Sequence, residues 1–206
     1  MSELSELARL GSATVYEAAG REGIVDAPLQ RIVPGSRAAG PARTVLCGQD
    51  DNLMVHAAMA SVEPGDVLVL SMPEPAPVAL VGDLLATQAH AHGAAAILVD
   101  GAVRDVEELV ELGLPVWARY VRVRGAGKDV VGAIDGPVTV GGQVIESRDV
   151  VVLDADGAVV VPRGRVAEVL AAALLREQRE ADKREQLRAG ALSYDLDGLR
   201  ERVERS

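Results

Sequence analysis

The sequence predicts an α/β fold: one domain with a parallel βαβαβ core, a β-rich second half and a long C-terminal helix. Three observations carry this reading. The all-apolar runs at 67–70 and 96–99 have the texture of strands buried on both faces, as strands of a covered parallel sheet are. Helical stretches at 83–92 and 105–112 follow them, and Gly93 and Gly113 stand where a left-handed residue would end each helix. Beyond Pro162 a helical pattern continues without a breaker to about Arg188.

In chain order, residues 2–20 read as one helix. Leu4, Leu7 and Ala8 share a face, Ser2 or Ser5 is the cap, and the Gly- and Pro-containing stretch 23–28 ends it. Glycines and prolines break 32–46 into short strands and turns. Residues 51–62 look helical, with Leu53, Val55, Ala57 and Met59 available for burial. The turn at 63–66 precedes the first core strand, a proline-spaced loop at 72–77 leads toward Gly82, and 114–118 supplies the third strand. Strand, helix, strand, helix, strand implies right-handed crossovers. Short β runs follow at 138–140, 143–145, 150–153 and 158–161, with Asp154-Ala155-Asp156-Gly157 as a hairpin turn. The last helix has an apolar stripe (Val166, Val169, Leu170, Ala173, Leu174) in its first half and is almost wholly charged in its second. The chain therefore reads as one domain over 1–206, with 163–206 a helical extension that finds its partner on a neighbouring subunit.

Composition narrows the class. In 206 residues, 49% are hydrophobic but only 2% aromatic, with no Phe, so Val, Leu, Ile and Ala must build the core. A charged share of 25% beside that apolar share excludes wholesale disorder. The single Cys47 excludes an intramolecular disulfide and a cysteine-based zinc site. A net charge of −10 argues against a nucleic-acid backbone as partner. No apolar run reaches the roughly 18 residues of a membrane span, and the first residues lack a signal-peptide pattern. The expectation is a cytoplasmic protein with no membrane or nucleic-acid partner.

Ligands of parallel α/β sheets bind beyond the carboxyl ends of the strands. Two segments must lie there: Gly82-Asp83-Leu84-Leu85 and Gly101-Ala102-Val103-Arg104-Asp105. The N–H groups of Leu84 and Leu85 at a helix start attract an anion, and Gly82 allows it to come close. Arg104 offers a planar fork for a carboxylate, while Asp83 and Asp105 offer hard oxygens for Mg²⁺ or Mn²⁺. Bland alternatives stand beside these roles: Asp105 with Glu108 fits a capping box, Asp83 suits a helix first turn, and Arg104 suits a surface salt bridge. Other candidates are weaker. Gly125-Ala126-Gly127-Lys128-Asp129 imitates a phosphate loop but has Arg122 for its first glycine and Asp129 for Ser or Thr. His90 and His92 point to different helix faces and read as solvated, His56 reads as a structural residue on an apolar helix, and Cys47 has no basic sequence neighbour to activate it.

The run GDLLATQAHAHGAAAILVDGAVRDVEEL resembles the family of RraA-like proteins and 4-hydroxy-4-methyl-2-oxoglutarate/4-carboxy-4-hydroxy-2-oxoadipate aldolases. Gly40-Pro41-Ala42-Arg43-Thr44, Asp51-Asn52-Leu53, Glu63-Pro64-Gly65-Asp66-Val67 and the segment 154–162 add to the resemblance, which spans about 14–162. The resemblance implies a β/β/α layered, swivelling-domain-like fold assembling as homotrimers or hexamers. It also implies a class II pyruvate aldolase with oxaloacetate decarboxylase activity, acting on a small oxo acid with Mg²⁺ or Mn²⁺. Carried over, Asp105 anchors the metal, Arg104 binds the pyruvyl group and stabilises the enolate, and Gly82 to Leu85 cradle the substrate carboxylate. Asp83 positions the water that protonates the enolate, and Glu177 or Glu180 approaches the metal from a neighbouring subunit. The alternative that the resemblance implies is a non-catalytic regulator of ribonuclease E acting by protein–protein binding. The chain departs from the family at Glu146-Ser147-Arg148-Asp149, where a Pro-Gly-Asp turn is usual.

Overall fold

The structure is a computed structural model that describes residues 2–205. Its first helix, α1 (Glu3–Leu10), is capped by Ser2, whose hydroxyl accepts the Ser5 N–H at 3.2 Å. The single helix expected to Gly20 is instead two, because Gly11 adopts φ 84° and α2 (Ser12–Ala18) leaves in a new direction. The cause is remote in sequence. The Asp154 carboxylate accepts the Ser12 N–H at 2.8 Å and its hydroxyl at 2.6 Å, and a Cβ on Gly11 would lie 2.6 Å from that carboxylate.

There follow β1 (Gln30–Arg31), β2 (Ala38–Leu46) and α3 (Leu53–Ala58), which tightens into a 3₁₀ turn at Met59–Ser61. Strand β2 is one continuous element rather than the short pieces expected, since its parallel partner supplies a ladder along 42–46. In α3 and its 3₁₀ turn, Val55, Ala58 and Met59 are buried while Ala57 faces outward. Next come β3 (Val67–Ser71), β4 (Ala79–Val81), α4 (Asp83–Ala91), β5 (Ala96–Val103), α5 (Val106–Leu112) and β6 (Val116–Val121). Gly93 and Gly113 adopt positive φ after α4 and α5 as expected. The remaining elements are β7 (Ala133–Ile134), β8 (Val138–Val140), β9 (Gln143–Ile145), β10 (Val150–Leu153), β11 (Ala158–Val161), α6 (Val166–Arg188), α7 (Ser193–Leu196) and α8 (Leu199–Glu204).

Strands β2, β3, β5 and β6 form the parallel centre of a mixed sheet ordered β1-β6-β5-β3-β2-β10-β11, with β4 also beside β5 and β7 beside β2. Beneath α3, α4 and α5 lie Leu68, Leu70, Ile97, Val99 and Val116, packed with Met59, Ala86 and Leu109. Val67, Val69, Leu98 and Trp117 point to the opposite face, where the β8–β9 hairpin and the inner face of β10–β11 cover them. The outer face of β10–β11 (Val150, Val152, Val159, Val161) packs on α1, α2 and the first half of α6. Residues of both these strands therefore serve two cores in alternation, which explains their unbroken valine runs. The layering is β/β/α with a curled mixed sheet. No helix among the described residues is long and apolar enough to cross a membrane.

Candidate functional site

Strand β4, which the proline-rich sequence around it hid, is the element that assembles the site. Val81 lies opposite Val103 in the β4–β5 ladder, and Arg104 N–H donates to the Val81 carbonyl at 3.1 Å. The next residues of the two strands, Gly82-Asp83 and Arg104-Asp105, therefore emerge side by side. Asp105 does not cap α5: its side chain makes no capping bond, and its backbone sits at φ 57°, ψ 49°. That left-handed conformation costs a non-glycine residue roughly 1–2 kcal/mol. It aims the carboxylate at the glycine instead, where Oδ2 accepts the Asp83 N–H at 3.2 Å and lies 3.4 Å from Arg104 Nε. Gly82 has ordinary extended dihedrals, so its backbone angles demand nothing. Close approach does: a Cβ there would stand 2.3 Å from Asp105 Oδ2 and 3.1 Å from Arg104 Nε.

Gly82, Asp83, Leu84, Leu85 and Arg104 together line a cavity of about 130 Å³. Asp105 lies at its border and, with Arg104, lines an adjoining open cavity. Among the described residues helix α4 has no side-chain cap, and no acceptor meets the Leu84 and Leu85 N–H groups. Three dipolar or cationic features thus line the place where an anion would sit: two helix-start N–H groups and the half-exposed Arg104 guanidinium, which among the described residues pairs only with Asp105, through Nε.

The same cavity holds residues to which the sequence reading gave no site role. Asn52 is buried and donates from Nδ2 to the Leu80 carbonyl at 3.0 Å, which fixes the orientation of its amide. Its Oδ1 is buried and has no partner, an acceptor awaiting a donor. Lys128 lines the cavity with no carboxylate against it among the described residues. His56, expected only as a structural residue of an apolar helix, lines it too and is exposed. Asp51 is what brings these groups in. Its carboxylate accepts N–H bonds from Leu53 at 2.8 Å, Asp129 at 2.6 Å and Val130 at 3.2 Å, tying the start of α3 to the loop that carries Lys128. Burial pushes the Asp51 carboxyl up, but these three donors outweigh it and hold it below its ordinary value. The Gly125–Asp129 segment is accordingly not a phosphate loop, and no helix follows it, yet Gly125, Ala126 and Lys128 belong to the site. A polar Asp-Asn pair opening an apolar helix was the one sequence signal for Asn52.

The other candidates lie elsewhere. His90 and His92 are exposed on and just beyond α4, and burial pushes the Cys47 thiol up to about 12, with Asp51 adding to the effect. Glu177 is gripped by Arg9 through bonds of 2.5 and 2.7 Å, and Glu180 pairs with Arg176 at 2.8 Å. Neither lines the cavity of its own chain. The residues 146–149 form a turn with Arg148 at φ 73°, and Asp149 accepts the Glu146 N–H at 3.1 Å.

Comparison with known proteins shows the family of the chain. The family model "RraA-like: Aldolase/RraA" matches residues 12–160. The chain belongs to the RraA-like family. A Halalkalibacterium halodurans relative, provisionally named 4-hydroxy-4-methyl-2-oxoglutarate aldolase, is 35% identical over 166 residues, covering 81% of this chain and 77% of the relative. Among solved structures, an uncharacterized protein from Pseudomonas syringae matches with a TM-score of 0.82 at 27% identity, covering 92% of this chain and 94% of that one. Streptomyces coelicolor RraAS2, described as an unusual member of the RNase ES inhibitor RraA family, matches with a TM-score of 0.79 at 33% identity, covering 88% and 95%. The RraA-like family thus joins proteins named for an aldolase and proteins named for inhibiting an RNase, and the residues of the cavity lie inside the matched span.

Proposed function

We propose that this RraA-like protein is a lyase, a divalent-metal-dependent pyruvate aldolase that cleaves 4-hydroxy-4-methyl-2-oxoglutarate-type oxo acids and decarboxylates oxaloacetate. The observation that carries the reading is that Arg104 and the open start of α4 line one small cavity, with the Asp105 carboxylate against both Arg104 and the Asp83 N–H. The named Halalkalibacterium relative supports it.

The donor set fits Mg²⁺ or Mn²⁺. Asp105 offers one carboxylate oxygen with no partner among the described residues, beside an approach kept open by Gly82. Among the described residues no three His, Cys, Asp or Glu side chains form a metal-binding group. A single carboxylate completed by waters and substrate is the pattern of hard cations that keep their hydration. When bound, the ion supplies Lewis-acid polarisation of the 2-oxo group.

The chain's residues account for the rest. The substrate carboxylate is held by the Leu84 and Leu85 N–H groups, and the Arg104 fork faces the oxygen on which charge develops. In cleavage a water in the cavity takes the C4 hydroxyl proton as C4 becomes a carbonyl, the C3–C4 bond breaks, and its electron pair becomes that of the pyruvate enolate. A water positioned by Asp83 then delivers a proton to C3. Asn52 Oδ1 accepts a hydrogen bond from a substrate hydroxyl or from water. Oxaloacetate yields the same enolate by losing carbon dioxide. Because Arg104 meets more charge in the transition state than in the ground state, its contribution is catalytic rather than merely one of affinity.

A second reading rests on the Streptomyces neighbour: a non-catalytic regulator that binds a ribonuclease E-type protein. Release of pyruvate from oxaloacetate with Mg²⁺ or Mn²⁺, followed with lactate dehydrogenase, separates the two. Metal-dependent pyruvate formation is expected; its absence with either ion supports the regulator. The proposal includes a cytoplasmic location and a homotrimer or hexamer; the first half of α6 packs on its own chain, so the second half with α7 and α8 is the part that packs on a neighbouring subunit.

A further inference from the structure

Arg104 lines two cavities, and the second is the larger. On its far side an open cavity of about 730 Å³ is walled by Asp105, Val106, Glu107, Val121, Arg122 and Val123. From these residues we infer that the second cavity receives the distal half of the substrate, with Arg122 as the anchor for a second carboxylate. The inference rests on the proposed reading of the first cavity as the oxo-acid site.

Strand register puts Arg122 beside Arg104. Val103 and Val121 are Cα partners in the β5–β6 ladder, and the Arg122 N–H donates to the Val103 carbonyl at 3.0 Å. The residue following each partner is an arginine, so two guanidinium-bearing positions leave neighbouring strands at the same edge. Their situations differ. Arg104 is in reach of Asp105, whereas Arg122 bonds only the carbonyl of Val121, at 2.7 Å, and meets no carboxylate among the described residues. That bond uses one N–H of a five-donor group, orients it, and leaves the others free. The segment 119–128 contains Arg119, Arg122, Arg124 and Lys128 and no acid, in a chain whose net charge is −10. Asp100 takes Arg119, which leaves Lys128 lining the first cavity and Arg122 lining the second, each with no carboxylate against it among the described residues. In the second cavity Arg122 is thus the cation left open to an anion, since Arg104 is already beside Asp105.

The remaining lining suits the middle of such a molecule. Val106 and Val121 are half-buried, and Val123 is 92% exposed, so their apolar surface faces the opening. Glu107 also lines it, and its like charge directs a carboxylate to the Arg122 side. A short oxo acid fills the 130 Å³ cavity alone, while an acid with a second carboxylate crosses Arg104 and meets Arg122. The second cavity thus sets a preference for longer dicarboxylic over monocarboxylic oxo acids.

Calorimetric titration in the presence of Mg²⁺ tests this without turnover. The probes are 2-oxoglutarate and 2-oxopentanoate, equal in chain length and differing in the distal carboxylate. The wild-type protein is expected to bind 2-oxoglutarate about tenfold or more tightly than 2-oxopentanoate. Arg122→Gln is expected to bring the ratio near one by weakening 2-oxoglutarate alone, and Arg122→Lys to keep part of it, because an ammonium holds the charge but not the fork. Equal wild-type affinities, or a ratio unchanged in Arg122→Gln, overturn the inference while metal-dependent pyruvate release keeps the proposed function. If neither acid binds, the reading of the first cavity falls and the inference falls with it.

Discussion

Gly82 and Arg104 form a pair of opposites: one matters for what it lacks, the other for the geometry of its charge. Gly82→Ala puts a methyl group 2.3 Å from where Asp105 Oδ2 now lies. The carboxylate must swing away, so pyruvate release is expected to fall at least about a hundredfold, the scale of losing one positioned group. The melting temperature should move little, because the residue is only half-buried and its dihedrals suit alanine. Arg104→Lys is expected to cut kcat by about 10² to 10³ with an unchanged circular dichroism spectrum, since an ammonium cannot reproduce the fork. Wild-type turnover by that variant would remove Arg104 from its role. Gly82 and Asp83 were legible because they open a helix that local pattern predicts, and Arg104 and Asp105 because they lie between the second core strand and the next helix. Asn52 and Lys128 were not, because their place depends on Asp51 drawing α3 and a distant loop together. The capping-box alternative for Asp105 failed for a reason also outside the local sequence: the β4–β5 register turns its carboxylate toward Gly82.

At the scale of elements, two acids act as clips between segments far apart in the chain. Asp154 holds the start of α2 by accepting two bonds from Ser12 and one from the Asp156 N–H at 2.9 Å. Asp154→Ala leaves buried Ser12 donors unpaired, and a loss of about 2–4 kcal/mol in urea-unfolding stability is expected. The expectation of one helix through residue 20 missed this break, since Gly11 alone is compatible with a helix interior at modest cost. Asp51 clips the loop carrying Lys128. Because its folded-state pKa lies below the ordinary carboxylate value, its contribution is present above that value and lost as pH falls through the lowered one. Wild type should therefore be more stable than Asp51→Asn at neutral pH, and urea titrations at successively more acid pH should show the advantage shrinking once the pH falls below the ordinary carboxylate range. Strand β4 illustrates the limit of pattern reading: three residues after a run of prolines give too short a signal, yet they position the whole edge.

For the whole molecule, assembly turns on the C-terminal helices. The first half of α6 buries Val169, Leu170 and Ala173 against α1 and α2, so this part belongs to its own chain's core. Beyond it Leu175, Leu192 and Val203 are more than half exposed within a strongly charged segment. Light scattering coupled to size exclusion is expected to give three or six copies, and truncation after residue 188 to lower that number; a monomeric full-length chain would contradict the proposed assembly. Glu177 carries a condition for its proposed approach to a neighbour's metal. The Arg9 guanidinium now holds its carboxyl below the usual range, and the pair must open before it could serve as a ligand.

The amino-acid sequence alone determined the kinds of elements and most of their limits: the valine-rich strands, the glycine-ended helices, the Asp154–Gly157 hairpin and the long last helix. These arise from interactions among residues a few positions apart, where burial periodicity and backbone preference act. Tertiary structure decided the sheet order, the break at Gly11, the outward-turned carboxylate of Asp105 and the unpaired Asn52 oxygen. Each of those depends on a partner many residues away, and no local pattern encodes which distant group will arrive.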